Sequence, residues 1–264
     1  MRGDRWVSPR HPAMRSIALV TAALLAACQS NEFKRAPLSM TAPFGEVRGY
    51  SWGKIGETAE LAVDLAPQVQ AVIRPVQADP LRIVIVQGRP KGSSDAFTMK
   101  TYDDRTNALL SKYIVLGSTS RRVNRFMLAH ELVHWYADGV WCRLPLALEE
   151  GLGYCIAIQF EPDSPAFNPQ AVARLVARLR DWKIEAAFDW PRQEDDSISE
   201  DQNVVNRLAG LAIVERIGVE GLRTMCANAE REGRATLSTD QVLERAGLPR
   251  GMTLGELWSL RDAQ

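Results

Sequence analysis

The spacing of apolar and polar positions changes character along the chain. In "ETAELAVDLAPQVQAVIRPV", residues 57–76, Ala59, Val63, Val69, Val72 and Val76 are among the apolar positions. That pattern predicts a helix, with Pro67 as a point where it can kink. "LRIVIVQ" at 81–87 is a continuous β-branched run, suited to a strand covered on both faces. "AFTMKTY" at 96–102 alternates, as an edge strand can, and "KYIVLG" at 112–117 is a third strand ended by a glycine. Beyond it the period is helical almost to the last residue. A helix, then strands, then helices is the order of an α+β fold, with a small β-sheet lobe followed by a helical lobe. Residues 29–50, punctuated by Pro37, Pro43, Gly45 and Gly49, read as a tether outside both lobes.

The first residues follow another logic. In "MRSIALVTAALLAAC", Arg15 precedes an apolar run from Ile17 to Leu25, shorter than the roughly 20 residues that span a bilayer. A charge, an apolar stretch and small residues in that order make a secretory signal. Its end, "LAAC", resembles the bacterial lipobox, which implies cleavage before Cys28 and acylation of that cysteine. More than one acyl chain is needed for stable anchoring, and lipobox modification supplies them. Residues 1–27 are then a signal peptide, of which 1–13 read as an upstream start. Residues 28–50 become a lipidated tether, and 51–264 one domain. The same resemblance implies a lipid-anchored protein of the bacterial cell envelope. With Gln29 after the cysteine, and not the aspartate of inner-membrane retention, the outer membrane facing the periplasm is expected.

Charge narrows the partners further. The whole chain of 264 residues is neutral, with 32 basic and 32 acidic side chains. From Cys28 onward the balance is mildly acidic. A basic face for nucleic acid is not in the composition, so nucleic acid is excluded as a partner.

Histidine is scarce: three in all, His11, His130 and His134. The last two fall in "AHELVHWYADG", residues 129–139. "STS" at 118–120 offers an N-cap, Val123, Phe126, Met127 and Val133 give a helical face, and Gly139 a stop. His130 and His134 therefore project from one side of a helix, one turn apart, and can reach one small ion. Glu131 is turned about 100° from His130, beside such an ion and within reach of a water on it. This is the HExxH arrangement of zinc-binding histidines with a glutamate base. A catalytic zinc commonly takes three protein ligands. "LPLALEEGLGYCIA", residues 144–157, offers two carboxylates for the third place, Glu149 and Glu150. Both also suit a helix's first turn.

This segment resembles the gluzincin metallopeptidases, whose ligand glutamate lies on the next helix in a pattern like L-x-E-G-x-A. Set on "LEEGLG", the pattern puts the ligand at Glu150 and leaves Glu149 in the variable position. "VVNRLAGLAIVERIGVEGLRTMC" looks like the later helix pair of that family, with its corner at Glu215 to Gly218. "DQVLERAGLPRGMTLGELWSL" resembles the closing segment, ending at Trp258. The likeness covers about residues 55–262, and only the site motifs are specific. It implies a thermolysin-like arrangement with the zinc site on the HExxH helix between the lobes. It also implies Zn(2+) on His130, His134 and Glu150, with Glu131 as general base for hydrolysis of peptide bonds. A peptide or protein substrate would add to a strand edge, for which 96–102 is the candidate.

One feature departs from the family. Aligning the Gly218 corner puts Asn203 where a tyrosine often stabilises the oxyanion, and no histidine follows His134. Arg207 or the Asn203 amide can assist there, and Tyr154 can support a zinc histidine or pack in the core. The departure leaves a second reading, a weak or inactive gluzincin-fold lipoprotein serving as a binding module. Cys142, Cys155 and Cys226 are an odd set. A Cys142–Cys155 bond would brace the Glu150 segment, against an alternative of three free thiols. Trp135, Trp141, Trp182 and Trp190 suit either a cleft or the core.

Overall fold

The computed structural model describes residues 32–75, 79–88, 96–102, 109–117, 125–137, 144–164, 167–188, 200–234 and 236–263. A short helix α1 (Glu32–Arg35) leads into β1 (Leu38–Ala42) and β2 (Gly45–Gly49), followed by the long helix α2 (Trp52–Ile73). Then come β3 (Leu81–Val86), β4 (Ala96–Tyr102) and β5 (Leu109–Gly117). The rest is helical: α3 (Arg125–Ala137), α4 (Leu146–Phe160), α5 (Pro169–Leu179), α6 (Glu200–Ile217), α7 (Val219–Arg231), α8 (Thr239–Ala246) and α9 (Leu254–Asp262). A 3-10 turn, Ile184–Ala187, lies between α5 and α6. The mixed α+β class expected from the sequence is found, but two strands precede the long helix.

The strands form one five-stranded sheet in the order β1-β2-β3-β5-β4. β2, β3 and β5 run parallel, and the outer strands β1 and β4 are antiparallel to their neighbours. One face presents Val47, Ile83, Ile85, Ile114 and Leu116 to the main core beneath α2 and α3. The other carries Val84, Met99, Tyr113 and Val115, covered by Phe33 and Ala36 of the N-terminal segment. β3 is thus buried on both sides, as its unbroken β-branched run requires. β4 forms an edge of the sheet, as its alternation suggested.

The tether reading of residues 29–50 is corrected over 38–49, which form the first hairpin. Its prolines lie outside the ladder: Pro37 precedes β1 and Pro43 occupies the turn, so neither removes a strand donor. Phe44 at that turn accepts a 2.8 Å hydrogen bond from the Leu81 amide and ties hairpin to β3. α2 passes through Pro67 unbroken. The carbonyl that proline leaves without a donor belongs to Val63, which is half exposed, so water can satisfy it.

The helical lobe centres on α4 against α6, and its later helices are held by their own chemistry. Ser238 with Gln241 and Thr253 with Glu256 form capping boxes at α8 and α9. Arg261 reaches Glu215 with two bonds of 2.5 and 3.1 Å while lying over the Trp258 ring. Gly218, in the left-handed region at φ 73°, turns α6 into α7. Cys226 is disulfide-bonded and Cys155 is a free thiol, so the expected Cys142–Cys155 brace is not formed. Cys155 lies instead beside Gln159 and Glu215. Trp135 is buried and Trp182 packs on the core. Cys28, Cys142, Trp141, Trp190, Val123, Gly139 and the 118–120 cap lie outside the described residues.

Candidate metal centre

α3 is buried all round. Every residue from Leu128 to Ala137 is buried, because the helix lies between the sheet, α2 and α4. His130, Glu131 and His134 are therefore buried ionisable groups, at 4, 3 and 7% exposure. Such groups are costly without partners, and the partners they have define the site.

The Nε2 atoms of His130 and His134 face each other at 3.0 Å. Glu150 on α4 brings Oε2 to 3.5 Å from His130 Nε2 and Oε1 to 3.5 Å from His134 Nε2. These three residues are positioned to hold a metal ion. Bonds of 2.0–2.2 Å in a tetrahedral site put ligand atoms about 3.3–3.6 Å apart, and in this set one ligand atom from each of the three residues lies within 4.8 Å of the other two. Glu131 and Glu149 are not members of it. Glu149 accepts instead at the far nitrogen of His134, its Oε1 3.2 Å from Nδ1. That bond orients the ring and leaves Nε2 free for an ion. Glu149 in turn accepts from Lys100 Nζ at 3.3 Å. His130 Nδ1, by contrast, is buried without a hydrogen-bond partner among the described residues.

Backbone packing fixes α4 against its neighbours. A Cβ on Gly151 would fall 2.1 Å from the Gly210 carbonyl carbon, and one on Gly210 1.7 Å from the Ala147 carbonyl oxygen. α4 and α6 thus touch backbone to backbone, immediately beside Glu150. Gly153 plays the same part against the site itself, since its Cβ would sit 2.7 Å from His130 Cε1 and Nδ1. The Tyr154 ring meets His130 edge-on at 4.8 Å between centroids. From α6, Arg207 lies 3.7 Å from Glu150 Oε2 and close to Tyr154. Asn203 is one turn earlier on α6, half-buried.

The sheet supplies contacts that the sequence alone did not reveal. Thr98 and Lys100 on β4 stand opposite Ile114 and Lys112 on β5. Thr98 Oγ1 donates to Glu131 Oε2 at 2.7 Å. Lys112 is buried, donates at 2.6 Å to the Trp135 carbonyl and lies over the Trp135 ring. A cation there complements the C-terminal end of α3. Strand alternation marked Thr98 and Lys100 as sharing a face, but nothing in the sequence paired that face with α3.

Electrostatics match the geometry. Burial alone lowers the His134 pKa, but the hydrogen bond with Glu149 and the charges of Glu150, Glu149 and Glu131 outweigh it, raising it to about 9. Burial pushes Glu150 up, while the hydrogen bond with His130 and the charges of His130, His134 and Arg207 bring it down to about 2. Without metal at neutral pH, a proton on His134 offsets the carboxylates, and a bound cation would replace it. Comparison with protein-family models and with curated proteins finds no match for the chain.

Proposed function

We propose that the chain is a zinc metallopeptidase of gluzincin type, held to the bacterial cell envelope by a lipid on Cys28. The observation that carries this reading is the convergence of ligand atoms of His130, His134 and Glu150 within 4.8 Å of one another, with a fourth ionisable group, Glu131, held beside the set and outside it. Two imidazoles and a carboxylate suit zinc and leave one position open. When bound there, zinc supplies Lewis acidity, lowering the pKa of a coordinated water from 15.7 toward roughly 7. Glu131 then takes the proton of the attacking water and passes it to the leaving amine. Arg207, close to Tyr154 and facing Glu150, offers positive charge to the developing oxyanion in place of the tyrosine that Asn203 replaces. An extended peptide adds to the outer edge of β4, whose inward face carries Thr98 and Lys100.

The absence of a tyrosine at Asn203 favours a second reading, in which the fold binds metal and peptide but cleaves weakly or not at all. Glu131→Gln separates the two. Glutamine keeps the shape but cannot accept the proton, so one zinc per chain should remain while cleavage of a peptide library falls by about 10²–10⁴. Equal cleavage by both proteins removes Glu131 as base. A zinc-loaded wild type that cleaves nothing supports the binding module.

A further inference from the structure

We infer that Thr98 is the residue that positions Glu131. The inference rests on the peptidase reading and adds a part to its machinery. Thr98 Oγ1 lies 2.7 Å from Glu131 Oε2 and 3.3 Å from the Glu131 carbonyl oxygen. A hydroxyl has one proton to give, and the shorter contact, to the charged oxygen, is where it goes. It is the one side-chain hydrogen bond the Glu131 carboxylate accepts among the described residues. One carboxylate oxygen is thereby held and the other left free to receive a proton.

The sheet itself does not require a hydroxyl at this position. Thr98 pairs across the ladder with Ile114 and has Ala96 and Leu116 as close neighbours on the same face. Valine would satisfy that packing and the strand's preference for β-branched residues equally well. The hydroxyl is explained by Glu131, which is buried and would otherwise have its carboxylate free to turn about its last torsion. Its place on β4 adds a second effect. The edge strand that would hold the substrate backbone also holds the base, so one rigid element sets their separation. An error of about 1 Å in such a separation costs on the order of 10² in rate.

The test uses Thr98→Val, which keeps shape and removes the hydroxyl, and Thr98→Ser, which restores it. On a peptide recovered from library digestion, Thr98→Val should lower kcat at least about tenfold with KM within about twofold, and Thr98→Ser should recover most of the loss. A second readout needs no catalysis. Urea unfolding of the metal-free protein with Thr98→Val, Glu131→Ala and both together should show coupling of at least about threefold in the unfolding constants. Additive variants, an unchanged kcat in Thr98→Val, or no recovery with serine would each overturn the role while the enzyme itself is active. A zinc-loaded wild type that cleaves no peptide, with the coupling intact, refutes the peptidase reading and with it the catalytic role of Thr98.

Discussion

Gly153→Ala adds one methyl group to the wall of the metal site and touches no ligand atom directly. The new Cβ would stand 2.7 Å from Cε1 and Nδ1 of His130 and 3.2 Å from its Cγ. Ordinary carbon contacts are about 3.5–4.0 Å, so helix and ring must separate by about 1 Å. α4 cannot supply that movement, because Gly151 is already against the Gly210 backbone. The ring must move, and a metal site tolerates only about 0.2 Å in its bond lengths. Two terms act on stability. Alanine gains about 0.5–1 kcal/mol over glycine within a helix, while overpacking costs about 1–3 kcal/mol. The net is a loss of roughly 1 kcal/mol, small enough for the protein to remain folded. Metal affinity should fall at least about 10–100-fold, the loss typical of disturbing a ligand's support. Competition against a chromophoric zinc chelator measures it, with urea unfolding of the metal-free protein alongside. Gly56→Ala is the control: it lies in α2 with nothing near its added Cβ and should leave zinc binding unchanged. If Gly153→Ala binds zinc within about threefold of wild type, the close approach of α4 does not set the His130 ring.

Other consequences can be checked with the same material. Glu149→Gln weakens the acceptor at His134 Nδ1 and should reduce zinc affinity about 10–100-fold without changing stoichiometry; an unchanged affinity would show that the bond does not orient His134. Because His134 holds its proton to about pH 9 in the metal-free protein, zinc must displace it. Apparent affinity should therefore rise about tenfold per pH unit from 7 to 9 and then level, seen by chelator competition at each pH. The sign reverses for the metal-free fold. A pKa raised above 6.5 stabilises fully below that value and is lost as pH passes 9, so unfolding temperature should decline across this window. Cys28→Ser should move the protein from the membrane to the soluble fraction or leave an uncleaved precursor, whereas a wild type found wholly soluble with residues 14–27 attached rejects the lipid anchor.

The parts of the molecule legible from sequence are those set by local periodicity. His130 and His134 announce their shared face because four residues is about one helical turn. The β3 run is apolar because both its faces are covered, and β4 alternates at the sheet edge. The hairpin at 38–49 was misread because its strands are only five residues each and the surrounding Pro and Gly resemble linker punctuation. Those residues mark the hairpin's ends. Choosing Glu150 over Glu149 needed the family pattern, since neighbours on a helix differ only by about 100° of rotation. What could not be read is tertiary. Thr98 is 33 residues from Glu131 and Lys112 23 from Trp135. No local rule pairs such distant positions. The free thiol of Cys155 likewise depends on where α4 places it, beside Gln159.

The crossing of α4 and α6 has a consequence for how this sequence can drift. Most contacts between helices are negotiable: a large residue on one side can be exchanged for a small one if the other side grows. At Gly151 and Gly210 that exchange is closed. A methyl group on either lands on the other helix's main chain, and neither partner has a side chain left to surrender. The two positions are thus bound to each other without sharing charge, hydrogen bond or ligand. A descendant of this chain that acquires a side chain at either must shift α4 against α6, displacing Glu150 from its place beside the two histidines. Loss of one of these glycines is therefore a mark by which metal-free offshoots could be told from metal-binding ones, even where both histidines and Glu150 are retained.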